Sequence, residues 1–254
     1  MLIDSHCHLT YEIDAAGVDA VIARANDAGV GIIICPTADP IDVPAAIKLA
    51  ETHNNIFATI GIHPEHAGCS AADYITNEIL MHPRVVGVGE IGLDYHGDNV
   101  PDRNAQIKLF TEQLEMARRV GLPVAIHTRD AEDDTAAILA DFPDVRGVMH
   151  CFTSGWGLAD KMLKRGFYFS ASGILTFKNA TDIRETFSKI PLDRIVVETD
   201  SPYCAPVPYR GRVCEPAFVT ETARVVAEIK NVPFEKFCDI VVENTKRLYP
   251  KIKI

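Results

Sequence analysis

No stretch of this sequence approaches the roughly 18 to 20 continuous apolar residues of a membrane span, so no bilayer crossing is expected. The N-terminus lacks a basic region followed by an apolar stretch, because Asp4 arrives almost at once; a secretory signal is not expected and the reading is of a cytoplasmic protein. Paired cysteines are missing too. Cys7, Cys35, Cys69, Cys151, Cys204, Cys214 and Cys238 are odd in number and scattered with no C-x-x-C, which excludes a zinc knuckle and points to reduced thiols rather than a disulfide framework. Basic residues are in deficit: 25 Lys and Arg stand against 35 Asp and Glu, a formal net charge of -10. That balance argues against a protein that coats nucleic acid through long-range attraction. It leaves room for local handling of phosphates, since carboxylates that hold divalent cations count as negative until the ions are bound.

Also lacking are a Ser/Gly-rich linker, a low-complexity segment and a G-x-G-x-x-G after the first apolar run, which lowers a dinucleotide-binding reading. What the sequence has instead is one pattern repeated from end to end. Apolar runs at 2–6, 31–35, 56–62, 85–91, 124–127, 147–151, 167–171 and 194–198 read as strands. Helical patterns lie between them at 18–28, 44–52, 104–120, 135–139, 158–164 and 182–188, and a pair at 217–230 and 233–247 closes the chain. Eight strands alternating with helices imply parallel strands joined by crossovers, and eight is the number that closes a barrel. The 254 residues therefore read as a single α/β domain over 1–254 with a (β/α)8 TIM-barrel fold, an open doubly wound sheet being the alternative.

The ends of these runs carry the chemistry. The first leads into D-S-H-C-H-L with His6 and His8; the others finish in G-I-H-P with His63, G-E-I-G-L-D with Glu90, A-I-H-T-R with His127, M-H-C-F with His150 and E-T-D-S-P with Asp200. Any one of them could be a buried histidine with a hydrogen-bond partner or a helix cap. In a barrel, however, all of these positions meet on the single rim where active sites are built. Strand alternation sends His6 and His8 to one face and Cys7 to the other.

Four histidines and two carboxylates exceed what one tetrahedral catalytic ion with an open position takes, but they suit two ions bridged by a carboxylate. The assignment is His6, His8 and Asp200 to one ion and His127 and His150 to the other, with Glu90 between them. Such a centre makes a hydroxide nucleophile from bound water at neutral pH, and Asp200 both ligates and accepts the water's proton. The reaction class is hydrolysis, and a two-metal amidohydrolase acting on a cyclic amide, ester or aminoacyl bond could use the same metals and hydroxide. Histidine-rich shells accept zinc, manganese or nickel more tightly than magnesium.

These residues, in this order, resemble the TatD family of metal-dependent deoxyribonucleases. The carrying stretches are D-S-H-C-H-L, G-I-H-P, V-G-V-G-E-I-G-L-D-Y, A-I-H-T-R-D-A-E-D-D-T, M-H-C-F-T-S-G, V-E-T-D-S-P-Y, P-Y-R-G-R-V-C-E-P and the closing E-N-T-K-R-L-Y, which together span nearly the whole chain. The resemblance implies a metal-dependent hydrolase of the (β/α)8 type. It also implies two divalent ions, magnesium in activity, and exonucleolytic cleavage of DNA from the 3′ end with single-stranded ends favoured; the chain is read as a monomer. It carries metal-ligand roles to His6, His8, Glu90, His127, His150 and Asp200, and makes His63 a non-ligand that contacts the substrate phosphate. One departure is Cys214, which stands where the family has asparagine before E-P, putting substrate contacts in doubt.

A phosphodiester needs donors beside the metals as charge develops. Arg129, two residues after His127, reaches the same rim if its strand extends that far, and Arg210 and Arg212 follow Asp200 in a Pro/Gly-rich loop.

Overall fold

The computed structural model describes residues 1–11, 15–98 and 100–253. Eight parallel strands follow one another around a barrel in sequence order: β1 Leu2–Asp4, β2 Val30–Pro36, β3 Ile56–Thr59, β4 Val85–Asp94, β5 Val124–Arg129, β6 Gly147–Met149, β7 Tyr168–Ala171 and β8 Ile195–Val197. They are rich in Val and Ile and buried on both faces, as strands packed between a barrel interior and an outer layer of helices must be. The outer layer consists of α1 Val18–Asp27, α2 Val43–Thr52, α3 Asn77–Met81, α4 Arg103–Val120, α5 Glu132–Ala140, α6 Trp156–Lys164, α7 Thr181–Lys189, α8 Val219–Ile229 and α9 Phe234–Leu248. The five-residue α3 is absent from the sequence reading because it is too short to show a helical period; Thr76 caps it, its hydroxyl accepting from Ile79 N at 3.3 Å.

The seam between β8 and β1 is closed by individual bonds rather than a regular ladder. Ser5 N donates to Val197 O at 3.0 Å and Asp200 N to His6 O at 2.9 Å. The buried Asp4 carboxylate accepts from Thr199 N at 2.9 Å and from its hydroxyl at 2.5 Å. Burial pushes the Asp4 carboxyl up to about 8, which marks how strongly this strap is removed from water.

Inside the barrel, Ile3, Ile34, Phe57, Val86, Val148 and Val196 pack together with Val242, Leu248, Tyr249 and Ile252 from α9 and the residues after it. Lys251 Nζ donates to Val85 O, the first residue of β4, at 2.8 Å. The C-terminal segment thus plugs the end of the barrel where the strands begin, and the end where they finish is left for a site.

Candidate metal centre

Regular β1 stops at Asp4, so His6 and His8 lie beyond it rather than on it. The segment nonetheless stays clamped between its neighbours: Cys7 N donates to Ile34 O at 3.0 Å and His8 N to Ser201 O at 2.9 Å. Cys7 is buried, while the two imidazoles meet on the other side with Nε2 atoms 3.3 Å apart. The convergence read from strand alternation is present, held by the seam instead of a ladder.

Glu90 sits at an irregularity in β4, where the register against β5 shifts between Val88 and Ile91. Its carboxylate is 4% exposed and divides its oxygens. Oε2 faces His6 Nε2 at 3.3 Å and His8 Nε2 at 3.6 Å; Oε1 faces His127 Nδ1 at 2.8 Å and His150 Nε2 at 3.2 Å. Asp200, three residues past β8, brings Oδ1 to 3.6 Å from His8 Nε2 and 3.8 Å from His6 Nε2. All six residues assigned to metal therefore gather in one cluster. Gly92 makes part of this possible: at φ 145° a Cβ there would fall 1.9 Å from His127 O, so only glycine lets β4 and β5 approach between Glu90 and His127.

Two further carboxylates flank the histidines. Asp94 ends β4 and places Oδ2 at 3.0 Å from His127 Nε2. Glu198 places Oε1 at 2.9 Å from His150 Nδ1, out of line for a hydrogen bond, while the same oxygen accepts from Cys151 N at 2.7 Å. Sequence reading missed both roles, although Asp94 closes G-E-I-G-L-D and Glu198 opens E-T-D-S-P; a carboxylate two or four residues from a ligand candidate was the available signal.

Buried together, these groups perturb one another. Burial alone would lower the His150 imidazole, but the Glu198 and Glu90 carboxylates raise it well above its ordinary value. Against burial, hydrogen bonds to Asp94 and Glu90 lift His127 to about 9. Glu90 is held well below the carboxylate range despite its burial, by His150, His127 and His6. His6 is lowered by burial and by the nearby His150 charge. The donor set is imidazole nitrogen and carboxylate oxygen, and His6 and His8 bring their Nε2 atoms to one region against Glu90 and Asp200. This donor set fits a metal ion, which would take the place of the protons that otherwise hold the cluster together.

His63 lies beside the cluster, four residues past β3, as the cap of a 3-10 turn at Pro64–His66. Its Nδ1 accepts from Glu65 N at 3.2 Å, its Nε2 is 3.8 Å from Glu90 Oε1, and burial drives its imidazole down to about 3. Arg129 is the last residue of β5, exposed, in register with Asp94, so the strand does extend to the rim. Arg210 and Arg212 are exposed and lie over aromatic rings, Phe177 at 4.3 Å and Tyr209 at 5.9 Å, and among the described residues neither contacts the cluster. Cys214 is not on a substrate surface: it is fully buried under the Asp200 turn, with Cys214 N donating to Pro202 O at 3.0 Å and Sγ 4.0 Å from Thr199 O. Burial pushes its thiol up to about 12, so it fills space and is no nucleophile. The adjoining Glu215 ties this loop to α1 through Arg24, whose Nε donates at 2.7 Å.

A barrel of eight parallel strands with imidazoles and carboxylates massed at and beyond their C-terminal ends defines a metal-dependent hydrolase of the (β/α)8 class. The family profile described as TatD related DNase matches residues 3–250, and the chain belongs to the TatD family. It is 38% identical over 253 residues to the uncharacterized metal-dependent hydrolase YabD of Bacillus subtilis, covering 98% of this chain and 99% of that one. It is 37% identical over 254 residues to YcfH of Escherichia coli, again an uncharacterized metal-dependent hydrolase, covering 98% and 95% of the two chains. The crystal structure of YjjV, a TatD homolog from Escherichia coli, superposes with a TM-score of 0.87 at 28% identity, covering 98% of both chains. No helix among the described residues is long and apolar enough to cross a membrane.

Proposed function

We propose that this chain is a cytoplasmic, monomeric two-metal phosphodiesterase that hydrolyses DNA as a 3′-to-5′ exonuclease on single strands. The observation that carries the two-metal reading is the division of Glu90, one oxygen toward His6 and His8 and the other toward His127 and His150. Magnesium is the ion proposed in activity, with zinc, manganese or nickel also taken by such ligands. Divalent cations bound there supply Lewis acidity and a water of lowered pKa.

The chain's own groups do the rest. Asp200 is kept ionised against its burial by His8, His150 and His6, and accepts the proton of the attacking water. His63 uses Nδ1 as an acceptor for Glu65 N, so its proton sits on Nε2, ready to donate to a phosphate oxygen while the ring stays neutral. Arg129 adds a guanidinium at the rim, in place to pair with a non-bridging oxygen. Arg210 and Arg212, out of contact with the cluster, serve flanking phosphates. A polynucleotide is favoured by the aromatic surface beside His8: Tyr11 stacks on that ring at 4.9 Å, and Tyr203, 56% exposed, stands edge-on to both at 6.4 Å. Bases stack on such faces without regard to sequence.

The test is digestion of a single-stranded oligonucleotide labelled at the 3′ or the 5′ end, with added metal and a duplex control. The expected result is stepwise loss from the 3′ end, faster for the single strand. Turnover of an amide or lactone panel with no nucleotide released would assign the site to the amidohydrolase reaction instead.

A further inference from the structure

Beside the histidine cluster stands a second group of potential ligands. Cys151 follows His150, Cys204 lies four residues after Asp200, and one ligand atom from each of Cys151, Asp200 and Cys204 lies within 4.8 Å of the others. Cys204 Sγ is 3.5 Å from Asp200 Oδ2, the oxygen that Asp200 does not turn toward His6 and His8. Cys151 Sγ is also 3.1 Å from Ser172 Oγ. Cys151, Asp200 and Cys204 have positive φ of 40°, 58° and 55°, three of the five non-glycine residues so placed among the described residues. Each such conformation costs about 1–2 kcal/mol, so their concentration here is held in place by the surrounding fold. Gly173 contributes to that hold, for a Cβ there would fall 1.9 Å from Cys204 O.

We propose that Cys151, Cys204 and Asp200 Oδ2 form a separate site for a soft divalent cation, zinc or cadmium, and that filling it inhibits the hydrolase. Two thiolates and a carboxylate are a three-ligand set for tetrahedral zinc, with the fourth position open because all three residues are only partly buried. Metal–sulfur and metal–oxygen bonds of about 2.3 and 2.1 Å at tetrahedral angles set thiolate and carboxylate oxygen about 3.6 Å apart. The 3.5 Å between Cys204 Sγ and Asp200 Oδ2 already matches that span. Thiolate selects zinc or cadmium over magnesium, so the site discriminates against the ion proposed for activity. Binding releases the two thiol protons to solvent. It also commits Oδ2 of Asp200 to the added ion, which takes electron density from the carboxylate proposed to accept the water's proton. The inhibition, though not the binding, rests on that assignment of Asp200.

The test is a cadmium titration of the magnesium-loaded protein, followed by thiolate-to-cadmium charge-transfer absorption in the ultraviolet and, in parallel, by oligonucleotide cleavage. The thiolate absorption should saturate, and cleavage should fall about 10²-fold below that of Cys204→Ser at the same cadmium concentration, the scale of losing a positioned proton acceptor. Cys204→Ser should lack the absorption and keep the parent's cleavage without cadmium. Absence of the absorption band in the parent, or its survival in Cys204→Ser, would overturn the site. A band that vanishes with Cys204→Ser beside unchanged parent cleavage would overturn the inhibition alone. A protein that shows the band but cleaves no DNA under any condition retains the cation site and loses the nuclease reading.

Discussion

Glu90 Oε1 lies 2.8 Å from His127 Nδ1, and the other nitrogen of that imidazole lies 3.0 Å from Asp94 Oδ2. One histidine on β5 is thus gripped by two carboxylates of β4 that are four residues apart. Only one of them can face a shared ion; the other fixes the ring's orientation and tautomer. That relationship separates the residues proposed to hold metal from those that would aim the holders.

Asp94→Ala and Glu198→Ala should each leave every proposed ligand in place but weaken metal binding by about 10- to 100-fold. A metal-dependence curve of cleavage measures this: activity should return at higher metal concentration. Unchanged half-saturation in both variants would remove these carboxylates from the metal account.

Chemistry and substrate holding should come apart by mutation. Asp200→Asn keeps shape and one ligand oxygen but removes the proton acceptor, so turnover should fall about 10²-fold or more. His63→Ala and Arg129→Ala should keep full metal content while losing about 10- to 10³-fold in cleavage. Metal analysis and cleavage on the same preparations decide it. Asp200→Asn cleaving like the parent, or His63→Ala losing an ion, would break this division.

Much of this centre is legible in the sequence because parallel barrel strands are continuous apolar runs, and a polar residue at the end of such a run stands out. His6, His8, Glu90, His127, His150 and Asp200 were all visible for that reason, and the eight runs located all eight strands. The boundaries were less visible. β3 ends at Thr59, short of the apolar Ile60 and Ile62, because those residues stay buried after the ladder has stopped. Asp94 and Glu198 were hidden by proximity, since a carboxylate next to a ligand candidate in sequence says nothing of whether it faces the ion or the ligand. The placement of Cys214 beneath the Asp200 turn, and of Arg210 over Phe177, depends on loop packing that carries no period at all.

Stability away from the site should respond to acid through Glu112 of α4. Burial would raise its carboxyl, but hydrogen bonds from Ser70 Oγ at 2.7 Å and from Ala72 and Ala71 N at 3.1 and 3.2 Å hold it below the ordinary range. A pKa lower in the fold than in the unfolded chain adds stability above the ordinary carboxylate range and loses it as pH falls through the folded value. Glu112→Gln should therefore lower Tm at neutral pH by about 2–4 °C, corresponding to about 1 kcal/mol, and the gap from the parent should close in acid. Thermal melts of the two proteins across pH check both; a gap that stays constant into acid would show that the charge has no part in it.

The centre's defining claim is that Glu90 serves two ions at once. The most direct measurement is a crystal soaked in manganese, with ion positions fixed by anomalous scattering. Two sites about 3.5–4 Å apart are expected. One should be bound by His6, His8 and Asp200, the other by His127 and His150, with a Glu90 oxygen on each. A single fully occupied ion, or two ions without a carboxylate in common, would contradict it.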